Sequence, residues 1–269
     1  MKIYDELVDN LGEYQIIYED DIKNLFCSYY HINKFIKKDG EIFHIKKDKF
    51  VNILNEILGE LISEYFCLNT VKSKLYKIDD DSSKYCLLTK LFTECGKNYN
   101  YIDKLFPDFV KYNSIHTLNK LNRVYDENQE NIYVMKNSCV SKINYSLKKM
   151  IVRDFITNTT DRHCENFMFL YDKSFVEMMP LYDYEYSFNN FFDFYSVFKI
   201  NVFDKNDVDF IKNDDVFQEL FEMAMLLNMS KIFKTLKDNY PIKLDFSEKW
   251  NIESIVRERK SDVKRYLLK

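Results

Sequence analysis

Asn158–Asp183 reads NTTDRHCENFMFLYDKSFVEMMPLYD. Its second half carries two apolar runs, FMFLY and FVEMMPLYD, on either side of Asp172-Lys173-Ser174. That is the pattern of a hairpin closed by a polar turn. Its first half is polar as far as Asn166. Just upstream, INYSLKKMIVRDFI (Ile143–Ile156) places Leu147, Met150, Ile151 and Phe155 on one helical face. A polar loop is thus held between an amphipathic helix and a hairpin. The frame gathers Asp161, Arg162, His163, Asn166 and Asp183 around an apolar segment.

Outward from this stretch, the N-terminal side reads as mixed α and β. NKFIKKDGEIFHIKK (Asn33–Lys47) predicts a hairpin, because Asp39-Gly40 is a strong two-residue turn between β-favouring runs. FVNILNEILGELISEYF (Phe50–Phe66) spaces Leu54, Ile57, Leu58, Leu61 and Tyr65 as a helix. KYCLLTKLF (Lys84–Phe92) reads as a short strand and TECGKNYN, residues 93–100, as a connector. On the C-terminal side, FQELFEMAMLLNMSKIFKTL (Phe217–Leu236) predicts one long helix whose methionines pack a core. The expected fold class is α+β. A small lobe over residues 1–95 binds nucleotide, and a larger, mainly helical lobe over 96–269 carries the catalytic loop.

Composition narrows the function classes. A chain of 269 residues suits one large domain or two lobes sharing a cleft. Four glycines and three prolines leave little room for long disordered linkers. The 21 Tyr and 23 Phe accord with an AT-rich coding bias and supply core. A net charge of −4 argues against a direct nucleic-acid surface. None of the six cysteines forms a C-x-x-C pair, so a zinc knuckle or redox motif is not indicated, and reduced thiols in a cytoplasmic protein are expected. The first residues lack the apolar run of a secretory signal. No stretch approaches the roughly 20 apolar residues of a membrane span.

Asp161 and Asn166 stand at the D-x-x-x-x-N spacing of a phosphotransferase catalytic loop. There the Asp orients or deprotonates the acceptor hydroxyl and the Asn ligates magnesium through its amide oxygen. Asp183, after the hairpin, is placed to be a second magnesium ligand. One carboxylate and one amide suffice when nucleotide phosphates complete the shell. A nucleotide also needs a cation held by a helix carboxylate, and Lys46 lies on a strand just before a helix. Glu56, Glu60 and Glu64 are its candidate partners; a helical wheel favours Glu60 and Glu64, with Glu56 nearly opposite the apolar stripe. Lys47 and Lys90 are the alternative cations.

DRHCENFMFL followed by PLYD, with FHIKK and NEILGELISEYFCL upstream, resembles the HipA-like kinases, and more distantly the D-R-H-x-x-N run of the phosphoinositide kinases. CLLTKLF is similar to the strand that leads to that family's hinge. The resemblance implies a bilobal protein-kinase-like fold and an ATP- and Mg2+-dependent serine/threonine protein kinase. Several such kinases are bacterial toxins that phosphorylate translation factors and pair with an antitoxin. It implies Asp161 as catalytic Asp, Asn166 and Asp183 as metal ligands and Lys46 as the phosphate-binding lysine. Glu56 falls at the family's "NE" helix position and so ranks ahead of Glu60. His163 braces the loop, and Arg162 neutralises loop carboxylates or touches phosphate. The chain departs from the pattern at the phosphate loop, where CSYYHINK (Cys27–Lys34) has no glycine and leaves Ser28 and backbone amides as phosphate donors. A pseudokinase or binding module, and a lipid or small-molecule kinase, stand as alternatives.

Overall fold

Asp39 and Gly40 both adopt positive φ, 52° and 82°. These are the two left-handed residues of a type I′ turn, whose twist matches the strands it joins. They close the hairpin of β2 (Lys34–Lys38) and β3 (Glu41–Asp48), in which Ile36 faces Phe43 and Lys34 faces Ile45. The computed structural model describes residues 15–17, 34–77, 85–90, 97–106, 115–121, 123–126, 131–166, 168–172, 175–188, 198–240 and 242–269. The phosphate-loop stretch around Ser28, the lobe boundary near Glu94–Gly96 and most of the aromatic run after Phe188 lie outside the described residues.

β1 (Gln15–Ile17), β4 (Ser73–Lys77) and β5 (Tyr85–Lys90) complete an antiparallel sheet in the order β1-β2-β3-β5-β4. Period-2 alternation along β3 buries Phe43 and Ile45 and sends His44 and Lys46 to the opposite face. The following helix, α1 (Phe50–Tyr65), is enclosed on nearly every side, since Ile53 through Ser63 are all buried. Glu60, which the wheel sets near the apolar stripe, is inside, and so is Glu56, which the wheel sets almost opposite it. A buried carboxylate needs partners, and each of these has them.

The remaining described elements form a larger, mostly helical region. Its longer helices are α2 (Asn137–Ile156), α3 (Lys205–Lys212), α4 (Asp215–Met225), α5 (Met229–Asn239) and α6 (Phe246–Asp262). A three-stranded sheet joins β6 (Asn98–Tyr101) to the hairpin of β9 (Met168–Asp172) and β10 (Phe175–Met178). A separate hairpin pairs β7 (Arg123–Asp126) with β8 (Asn131–Val134). A small N-terminal sheet region beside a larger helical part is the α+β architecture expected. One apolar cluster runs through both, from Ile53 and Leu58 of α1 through Leu147 and Ile151 of α2 to Phe217 and Phe221 of α4. No helix among the described residues is long and apolar enough to cross a membrane.

Three local expectations need correction. The presumed connector over residues 93–100 ends in β6, whose Asn98 and Asn100 face Tyr171 and Phe169 of β9. The presumed long helix is two helices. α4 ends at Met225, and the Asn228 side chain accepts the Lys231 amide hydrogen at 3.3 Å to start α5. Finally, α2 begins at Asn137, six residues before the apolar periodicity, because its first turns are largely exposed and carry no apolar signal.

A parallel bridge ties the two regions together. The Val71 amide donates to the Leu181 carbonyl at 3.0 Å, and the Leu181 amide donates to the Asn69 carbonyl at 2.9 Å. The Thr70 hydroxyl donates to the same Leu181 oxygen at 3.1 Å. Asp183 follows two residues later, five beyond the end of β10, with φ of 62°.

Candidate active site

Lys46 leaves β3 on the polar side and meets three carboxylates. Its Nζ lies 2.5 Å from Glu56 Oε1, 2.8 Å from Glu185 Oε2 and 3.0 Å from Asp183 Oδ1. Helix α1 fixes Glu56 in place, and the other Glu56 oxygen accepts the Tyr184 amide hydrogen at 2.8 Å. Asn55, its neighbour on α1, donates from Nδ2 to the Glu185 carbonyl at 2.8 Å. Two adjacent helix residues thus anchor the segment that carries Asp183 and Glu185. The Lys46 side chain is 23% exposed.

The loop between α2 and β9 is stiffened from beneath by a buried ionic network. Arg162 donates from Nε to Asp154 Oδ2 at 3.0 Å and from Nη1 to the Tyr182 carbonyl at 2.8 Å and the Asn166 carbonyl at 3.3 Å. Arg153 donates to Asp154 Oδ1 at 2.5 Å and to Thr159 Oγ1 at 3.0 Å. Both guanidiniums lie over the Tyr184 ring, at 4.2 Å for Arg153 and 5.2 Å for Arg162. The Tyr184 hydroxyl bonds to Ser63 and Thr70 of the N-terminal region. Above this base, Asn166 Nδ2 donates to the Asp161 carbonyl at 2.5 Å, and the Asn166 amide donates to the His163 carbonyl at 3.1 Å.

Charge and burial set the protonation of these groups. Burial pushes the Asp161 carboxyl up, and the negative Asp183 adds to this against the pull of His163 and Arg162. Burial also opposes the Asp183 charge, yet the Lys46 ammonium, helped by Arg162 and His163, more than offsets it and holds Asp183 below the usual carboxylate range. Burial works against the Lys46 charge too, and its three carboxylates outweigh that, so the ammonium is firmly held. On the same face burial lowers the His44 imidazole to about 4, with Lys46 contributing, so it is neutral near pH 7. Two nearby carboxyls shifted in opposite directions are a pattern found at reactive sites.

Glu56, Asp183 and Glu185 each present an oxygen within 4.8 Å of the others. Hard oxygen donors at that spacing suit Mg2+ or another hard divalent cation. With the Asn166 amide nitrogen engaged by Asp161, its oxygen is the atom with ligand chemistry, and it belongs to the same kind of donor set.

No known family model matches the chain, and no characterised protein matches it in sequence. Solved structures do match. The proinflammatory kinase CtkA of Helicobacter pylori superposes with a TM-score of 0.63 at 15% identity, covering 92% of each chain. HipA of Shewanella oneidensis MR-1, solved with HipB and its operator DNA, superposes with a TM-score of 0.57 at 15% identity. That match covers 95% of this chain, which spans 64% of the HipA chain's length. The chain shares its fold with these two proteins.

Within this fold Lys46, Glu56 and Asp183 come together, while other candidates are placed elsewhere. Glu60 accepts the Ser73 amide hydrogen at 3.1 Å and the Tyr240 hydroxyl at 3.5 Å, on a different side of α1. Lys90 pairs with Glu41 at the exposed end of the sheet. Arg162 is buried under the loop, where its partners are Asp154 and backbone carbonyls. Glu185, Tyr184, Arg153 and Asp154 escaped the sequence reading. A hint was present in IVRDFI, where an adjacent Arg-Asp pair interrupts an apolar run and has to be satisfied inside.

Proposed function

We propose that the chain is a Mg2+- and ATP-dependent phosphotransferase that phosphorylates serine or threonine on a protein. The carrying observation is the Lys46–Glu56 pair at 2.5 Å with Asp183 3.0 Å from the same ammonium. On this reading Lys46 holds the nucleotide phosphates and Glu56 fixes Lys46. Asn166, Asp183 and Glu185 hold the cation, which when bound neutralises phosphate charge. Asp161 accepts the proton of the acceptor hydroxyl, and its upward shift makes it a better base than an ordinary aspartate. His163 and Arg162 keep the loop in shape. Protein specificity, a toxin role and an antitoxin partner are carried into this proposal by the resemblance to HipA-like kinases. The expectation that nucleic acid takes no part finds no support there, since that HipA was solved on operator DNA.

Two asparagine substitutions test the reading. Asp183→Asn removes a charge from the cation's donors, so MgATP binds more weakly. Asp161→Asn leaves those donors intact, so MgATP binds about as well, while transfer from labelled ATP to a protein in cell extract falls by on the order of a hundredfold or more. Near-parental transfer by Asp161→Asn would mean that Asp161 only caps the loop. Nucleotide binding by the parent chain without any transfer would favour a pseudokinase.

A further inference from the structure

An ammonium has three hydrogens to donate and no lone pair. At Lys46 carboxylates occupy all three directions, at 2.5, 2.8 and 3.0 Å. A phosphate can therefore engage Lys46 only by displacing one of them. Glu56 is the least able to leave, because its second oxygen holds the Tyr184 amide and it sits within the buried part of α1. Asp183 is held from two sides, by Lys46 and by the positive-φ backbone next to the Leu181 bridge. Glu185 differs from both. Asn55 pins its backbone carbonyl, but the carboxylate is at the end of a flexible side chain that also meets the Tyr186 hydroxyl. Its side chain can swing without moving the main chain.

The charge balance points the same way. One ammonium offsets only one of three carboxylates, so the cluster repels the polyphosphate of a nucleotide at short range. A divalent cation removes that excess, and the three carboxylate oxygens are already within 4.8 Å of one another.

We propose that Glu185 makes nucleotide binding conditional on a divalent cation. Without the cation Glu185 occupies the Lys46 donor that a phosphate needs; with it, Glu185 turns to the cation beside Asp183 and yields Lys46. The proposal rests on the phosphotransferase reading above. It adds a residue that rejects the metal-free nucleotide.

Calorimetric titration of ATP in EDTA, and of ATP with MgCl2, into the parent chain, Glu185→Gln and Glu185→Ala tests it. The parent should bind metal-free ATP far more weakly than MgATP. Both variants should bind metal-free ATP on the order of tenfold more tightly than the parent, while MgATP, deprived of one cation ligand, binds no more tightly than to the parent, so that the preference for MgATP shrinks. Circular dichroism melts confirm that the variants are folded. Metal-free affinity equal to or weaker than the parent's in both variants overturns the role of Glu185 while leaving the phosphotransferase reading intact. Failure of the parent to bind MgATP overturns that reading, and the proposal with it.

Discussion

Glu60 shows what burial does to one carboxylate. Enclosure in α1 raises its carboxyl from 4.5 to about 7, against the Ser73 amide, Lys72 and Tyr240. Between those values the folded chain keeps a proton that the unfolded chain releases. Stability from this group is therefore present at pH 4.5 and is lost as pH rises towards 7. Glu60→Gln removes the dependence. At pH 8 the variant should be more stable than the parent by up to about 3 kcal/mol, and the two should converge near pH 5. Urea midpoints across that range decide it, and a gap that widens towards acid refutes it. At this scale the sequence brought Lys46, Glu56, Asp161, Asn166 and Asp183 to notice, because a strand-helix junction and a loop motif are local patterns. Glu185 and Asp154 were not legible. Their meaning comes from Lys46, 139 residues away in one case, and from two buried arginines in the other.

Helix α1 contains Gly59 at its tightest crossing. A Cβ there would stand 2.4 Å from Tyr184 Cβ and Cγ and 2.6 Å from an Arg153 nitrogen. In an exposed helix Gly→Ala stabilises by about 1 kcal/mol. Here the new methyl forces apart α1 and the Tyr184 segment, and overpacking of this kind costs about 1–3 kcal/mol or more. Gly59→Ala should therefore lower the urea midpoint despite its better helix propensity. A rise would show that the crossing has slack. Elements with their own periodicity or turn chemistry were readable, as α1 and the Asp39-Gly40 hairpin show. β4 and β6 were not, since a short strand is defined by its neighbours, and β6 pairs with residues about seventy positions away. The break between α4 and α5 was hidden because apolar spacing continues across it, from Phe221 and Ala224 to Leu227 and Ile232.

For the whole molecule, the buried Arg153–Asp154–Arg162 set joins α2, the loop and the Tyr184 segment. Asp154 is the sole carboxylate that the described bonds give to either guanidinium. Asp154→Ala would leave two buried cations uncompensated, a change on the order of 3–5 kcal/mol. The variant should unfold at much lower denaturant, or fail to accumulate as folded protein in an expression trial. A melting temperature within a degree or two of the parent's would contradict this.

The bridge at Leu181 also sets a lever. If the N-terminal sheet rocks against the helical region, the strap of Asn69, Val71 and Leu181 bonds is its fulcrum. Asp183 lies two residues from that axis and barely travels. The Asp39-Gly40 tip, about 20 Å from Lys46 along β3, sweeps a wider arc than Lys46 does. The jaw can gape at its tip while its bite on charge near the hinge stays almost unchanged.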